Sequence, residues 1–180
     1  NKVPVRGKEC STAQMPFISE KFPTYLSFAQ SSLTDIYGKE KINEALHYTA
    51  NYFYSAYIEN KGKDGFEFHQ LPVEAQLAPI NAIVAKDFNN DGKMDFVVAG
   101  NYFQTEVETP QYDAGKGLLL KGNGDGTFET SVQIKDSGLI LAFDAKDMGL
   151  ISIQNQLPAI LVANNNNVLQ LFGYDQKTAY

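Results

Sequence analysis

The spacing of apolar residues changes character near residue 50. Before it, apolar positions recur at helical intervals. Pro16 suits the first position of a short helix running through Phe22, and Pro23 would end it. Leu26, Ala29, Leu33 and Ile36 predict a helix over 24–37, closed by Gly38. Ile42, Ala45, Leu46 and Ala50 predict a third, over 39–50. Residues 1–15 are polar and read as irregular. From Asn51 the pattern alternates. Phe53, Ser55, Tyr57 and Glu59 interleave with Tyr52, Tyr54, Ala56 and Ile58, as on a strand with two unlike faces. A turn at Asn60–Gly65 leads to a strand over 66–71. Ile83-Val84-Ala85 and Phe96-Val97-Val98-Ala99 are short and rich in β-branched residues, so they read as strands too.

The strand–turn–strand unit at 52–71 returns at 117–129, about 60 residues later. The hairpin around residue 90 has a weaker echo in 139–144 and 159–164. About four strands in a unit of about 50–60 residues is the mark of a β-propeller. One full blade is expected at about 80–135, with strands flanking residues 87–95 and then at 117–121 and 127–133. Two strands of an earlier blade precede it, and three of a later one follow, at 139–144, 159–164 and 168–173. The expected fold is therefore mainly β with an N-terminal α-helical subdomain. It is a partial β-propeller of about two blades, a fragment of a larger ring, since closed propellers use roughly 4–8. The division is 1–50, helical, and 51–180, blades. Helices at 16–50 are expected to cover part of the open blade face, and a second copy the remainder, as a homodimer or swapped assembly through the open edges.

Between the two β-branched runs lies Asp87-Phe88-Asn89-Asn90-Asp91-Gly92-Lys93-Met94-Asp95. Oxygen-bearing side chains stand at positions 1, 3, 5 and 9. Gly92 permits a sharp turn, and Lys93 offers its main-chain carbonyl. Such a set of hard oxygens, without sulfur or imidazole, suits Ca²⁺. An EF-hand would need Glu at position 12, where Val98 stands. The competing reading is an Asx-rich turn without metal. Repulsion among three carboxylates in one tight loop favours an ion between them.

The loop and the strand Phe96–Gly100 resemble the FG-GAP/VCBS repeat, the calcium-loop blade of integrin-alpha-like β-propellers. Gly122-Asn123-Gly124-Asp125-Gly126-Thr127-Phe128 resembles the "GNGDGTF" hairpin of the same repeats. The similarity extends over about 50–175 and looks closest to the C-terminal part of bacterial relatives of the cartilage acidic protein family. That resemblance implies Ca²⁺ on Asp87, Asn89, Asp91, Asp95 and the Lys93 carbonyl. It also implies an exported protein, extracellular, at the cell surface or periplasmic. Asn89 departs from the family's usual Asp, which removes a negative charge and weakens the site. The echo at 139–164 keeps Asp144 and Asp147 but not the ligand pattern, so no metal is expected there.

Composition narrows the function further. A net charge of −6 argues against nucleic acid and anionic membranes, and no apolar run approaches a membrane span. The start, Asn1-Lys2-Val3-Pro4, reads as a cut within a longer product, without a signal peptide. Cys10 is alone and reads as a packed thiol. His47, expected on a helix, and His69, on an outer strand, have no partner pattern for catalysis, and neither a nucleophile elbow nor a phosphate loop occurs. The chain is expected not to be an enzyme. Tyr52, Tyr54, Tyr57, Tyr102 and Tyr112 are candidates for a contacting surface. The acidic stretch 102–113, with Tyr102, Phe103, Glu106, Glu108 and Tyr112, is the candidate binding loop for a protein or neutral glycan. The alternative for that stretch is a passive insertion. The leading expectation is a calcium-stabilised binding or adhesion module. Its alternatives are a non-catalytic part of a larger carbohydrate-active enzyme, or a purely architectural propeller segment.

Overall fold

The computed structural model describes residues 2–131 and 138–174. The chain forms two compact units, Asn1–Asn51 and Tyr52–Tyr180. Mainly β in architecture, it carries few helices, all but short 3₁₀ turns in the first unit.

Five short helices make the first unit: α1 Lys8–Gln14, α2 Phe17–Lys21, α3 Tyr25–Ala29, α4 Leu33–Tyr37 and α5 Lys39–Glu44. Ile18, Phe22, Phe28 and Ile36 form its core, with Phe22 and Phe28 edge to face at 6.1 Å. The stretch expected to be irregular contains α1. The helix expected over 24–37 is two helices, because Ser32 caps a new start. Its Oγ accepts the Asp35 N–H at 3.2 Å, and Asp35 Oδ2 accepts the Ser32 N–H at 2.9 Å. With the run broken, Leu26 faces solvent. The third expected helix stops at Glu44, where Ala45 turns extended. His47 Nε2 lies 2.7 Å from the Ile42 carbonyl, which also accepts the Ala45 N–H at 3.2 Å. His47 is thus beyond the helix, and Leu46 is exposed rather than packed.

The second unit holds three antiparallel sheets. β1 Ala56–Asn60 pairs with β2 Phe66–Gln70. β3 Ala82–Lys86, β4 Asp95–Ala99, β5 Leu118–Gly122 and β6 Phe128–Ser131 form a four-stranded sheet in chain order. β7 Ala145–Ile153, β8 Leu157–Asn164 and β9 Gln170–Gly173 form the third. None of the three closes on itself, and the described residues show no propeller. The expected ends at 133 and 135 of the four-stranded unit lie outside the described residues.

Both faces of the four-stranded sheet are used. Ala82, Val84, Val97 and Ala99 pack against Leu139, Leu141, Ala145, Met148, Ile160 and Val162 on one side. Val98 and Leu120 pack with Leu71 and Ala75 on the other, where Tyr57, Phe96 and Phe128 join them. The alternation along β4, Val97 one way and Val98 the other, follows from the pleat.

Two strand expectations need correcting. Residues 52–55 lie outside β1. Gln76 captures Ser55 instead, its Oε1 accepting the Ser55 N–H at 2.7 Å and its Nε2 donating to the Ser55 carbonyl at 3.0 Å. Residues 139–144 are not a strand either. Leu139 and Leu141 are buried, but the Leu141 N–H donates to the Lys116 carbonyl at 2.8 Å, and the carbonyls of Ala142 and Phe143 accept from Asn101. These partners belong to the four-stranded unit, so the first strand of the third sheet begins only at Ala145.

Candidate metal centre and binding loop

The loop between β3 and β4 is held open by their pairing, with Lys86 opposite Asp95. Its turn needs two left-handed residues, Asn90 with φ 59° and Gly92 with φ 83°. Asp87 accepts the Asp91 N–H on Oδ1 at 3.1 Å and the Gly92 N–H on Oδ2 at 2.9 Å. Asn89 Oδ1 accepts the Asp91 N–H at 3.0 Å, while its amide donates to Asp91 Oδ2 at 3.0 Å. Asp91 Oδ1 accepts the Lys93 N–H at 2.8 Å. The Lys93 N–H, then the Asn89 amide, hold the Asp91 carboxyl below the ordinary aspartate range. So the loop is shaped by its own donors, each satisfying a carboxylate oxygen.

Asp95 stands apart. It is wholly buried, and each oxygen takes one main-chain N–H at 3.0 Å: Oδ2 from Phe88, Oδ1 from Gly122. The donor types suit Ca²⁺, four hard-oxygen side chains on nine residues with lone pairs beyond those already bonded, although the carboxylate oxygens of Asp87, Asp91 and Asp95 do not all lie within 4.8 Å of one another.

Glu59, Glu67 and His69 form another cluster, the one trio of acidic or histidine side chains among the described residues with ligand atoms within 4.8 Å of one another. Residue spacing does not reveal it, because it depends on the β1–β2 register that sets Glu59 opposite Glu67. Lys61 already supplies its cation, with Nζ 2.8 Å from Glu59 and 3.2 Å from Glu67. That ammonium, with a lesser contribution from His69, lowers the Glu59 carboxyl, and Glu59 in turn raises the Lys61 ammonium. His69 Nε2 lies 3.3 Å from Glu59. The cluster is an ion-pair network across a hairpin rather than a cage of unpaired ligands.

The stretch 102–113 is an ordered miniature hairpin. Tyr102 and Tyr112 exchange two backbone hydrogen bonds, at 2.9 and 3.0 Å. Thr105 Oγ1 donates to the Thr109 carbonyl at 2.8 Å, and Gln111 to the Phe103 carbonyl at 3.2 Å. Tyr102, Tyr112, Glu106 and Glu108 are exposed, and Phe103 is half-buried. Lys146 Nζ sits 5.3 Å from the Tyr102 ring centre, and 2.7 Å from the buried Asp144. The base of the hairpin is pinned by Asn101, which has no exposed surface. Its Oδ1 accepts the Gly115 N–H at 2.9 Å, and its Nδ2 reaches the carbonyls of Gly115 and Phe143 at 3.1 and 3.0 Å.

The other tyrosine candidates separate. Tyr57 packs inward against Phe128, at 5.9 Å. Tyr52 and Tyr54 are exposed, and Tyr52 stacks near Phe68 at 5.3 Å. Phe68 and Phe53 share that exposure and were not among the sequence candidates. Alternation alone does not reveal which strand face lacks a neighbouring sheet. A cavity of about 250 Å³ lies against the four-stranded sheet, lined by Ala75, Leu77, Ile80, Val98 and Leu118, with Glu74 and Lys116 as its charged groups.

No protein-family model, no curated protein and no solved structure matches this chain. No helix among the described residues is long and apolar enough to cross a membrane.

Proposed function

We propose that this chain is a calcium-stabilised, non-catalytic binding module built from propeller-type blades, part of a larger exported protein. The observation that carries the reading is the loop 87–95. Asp87, Asn89 and Asp91 converge on one turn between two paired strands, and Asp95 closes it from the sheet. Held there, Ca²⁺ would join the turn to the sheet and supply rigidity rather than chemistry. The four-stranded meander and the three-stranded sheet are read as a full blade and an incomplete one, and β1–β2 as the outer pair of another. Export rests on the FG-GAP/VCBS resemblance and on a site suited to extracellular calcium levels.

Recognition is assigned to the hairpin 102–113. It begins two residues after β4 and carries Glu106, Glu108 and Asp113 with no Lys or Arg. Its partner is a basic protein patch or a neutral glycan rather than an acidic polysaccharide. Replacing 104–111 with a short Gly-Ser turn leaves the Tyr102–Tyr112 bridge and Asn101 in place. The expected result is a folded protein that has lost binding in a glycan and protein array. Undiminished binding would remove the hairpin from the site, and loss of the fold would make its role structural.

The open sheets are assigned to a second copy. Ile58, Phe66 and Phe68 are exposed on β1–β2, as are Val168, Leu169 and Leu171 at the outer edge of the third sheet. Unpaired strand edges with apolar side chains invite pairing. Light scattering at high protein concentration is expected to show a dimer; a strict monomer would overturn this assignment.

A further inference from the structure

The Gly122–Phe128 turn and the loop 87–95 are separate in the chain, yet they meet. The Gly122 N–H donates to Asp95 Oδ1 at 3.0 Å, and this is one of only two hydrogen bonds described for that buried carboxylate. A Cβ on Gly122 would lie 2.2 Å from the Met94 carbonyl oxygen and 3.2 Å from its carbon. Main chain, not a flexible side chain, fills the space. Gly122 does not have a positive φ, so glycine is required there by closeness and not by conformation. At the tip, Gly124 lies beside the Lys93 side chain, where a Cβ would meet its Cγ and Cδ at 3.6 Å. Lys93 also contributes to holding the Asp125 carboxyl low, after the Thr127 hydroxyl and N–H. Three residues of the turn therefore touch or sense residues 93–95.

We infer that Gly122 is a positioning residue for the calcium loop. This rests on the calcium reading above and deepens it. In the rotamer present, Asp95 closes the loop by accepting the Phe88 N–H on Oδ2. The Gly122 N–H fixes that rotamer from the far side, and the missing side chain lets β5 come near enough to do so. Two consequences follow. Ion affinity depends on the β4–β5 pairing, although β5 carries none of the ligands. In return, ion binding at the turn is felt on the adjacent strand, at the amide of Gly122.

The test uses the whole chain. Calorimetric titration with CaCl₂ compares the wild type with Gly122→Ala and with Gly149→Ala, a strand glycine whose added Cβ would meet nothing within 4 Å. Gly122→Ala is expected to bind at least tenfold more weakly, and Gly149→Ala like the wild type. Amide hydrogen exchange on the wild type serves should Gly122→Ala fail to fold. The Phe88 and Gly122 amides are expected to slow at least tenfold on adding calcium, and the Val162 amide in the third sheet much less. Equal affinity in Gly122→Ala overturns the assignment. So does calcium binding by the wild type that leaves both amides unchanged. If the wild type binds no calcium, the calcium reading itself is wrong, and the positioning role falls with it.

Discussion

Calcium should raise the melting temperature of the metal-free protein. At a free concentration of about 100 times Kd, the linkage gain is roughly 2.7 kcal/mol, equivalent to about 5–10 °C in a domain of this size. The stabilisation would come from the half-buried Asp87 and Asn89 and the exposed Asp91, whose two carboxylates repel one another unless a cation joins them. Asp91→Ala removes a ligand and the acceptor of the Lys93 N–H together, so the shift should vanish. Asp144→Ala separates this effect from plain destabilisation. Asp144 is buried just before the third sheet, against Lys146, so its loss should lower the melting temperature with and without calcium and leave the shift between them intact. A melting curve indifferent to calcium and to EDTA, with no heat of binding at millimolar ion, would exclude the site.

Asn101→Leu should cost more than any surface change. The leucine has the same branched outline, with two bulkier methyl groups in place of the amide oxygen and nitrogen, and no polar atoms. It would take the amide from the Gly115 N–H and carbonyl and from the Phe143 carbonyl, of which the last keeps the Ala145 N–H at 2.9 Å. Buried groups stripped of partners cost about 1–3 kcal/mol each, so a total of roughly 2–5 kcal/mol is expected in urea unfolding. Because Asn101 holds the segment 142–143 against the foot of the 102–113 hairpin, the same variant should also loosen the Tyr102–Tyr112 bridge. Proteolysis within 104–111 would report that. A loss under about 0.5 kcal/mol would mean that water or neighbouring backbone replaces the amide.

Much of the local structure was open to inspection in the residues. The β-branched runs at 83–85 and 96–99 flank a loop too polar to bury, and the structure pairs them as β3 and β4 around it. Gly92 and Asn90 are residue types that tolerate the left-handed backbone the turn demands. The helical spacing at 16–44 was readable, but its interruptions were not. A serine at position 32 is equally at home within a helix surface and at a cap, and only the position of Asp35 relative to the Ser32 N–H settles which occurs.

The chain's own order of residues determined three things: helices first and strands after, the oxygen-rich turn between two strands, and an acidic segment beginning just beyond β4 with no balancing cation inside 102–113. These follow from periods, side-chain chemistry and charge, all of which act over a few neighbouring residues. Tertiary structure alone decided that Asp95 is bonded to Gly122, twenty-seven residues away, that Asn101 binds the carbonyl of Phe143, and that Leu139 and Leu141 enter the core from a segment that is not a strand. It also decided that Tyr57 is covered while Tyr52 and Phe68 are bare. The physical reason is the same in each case. A buried polar group or apolar face must be satisfied by whatever arrives opposite it, and the chain folds that partner in from a distance at which sequence spacing carries no signal.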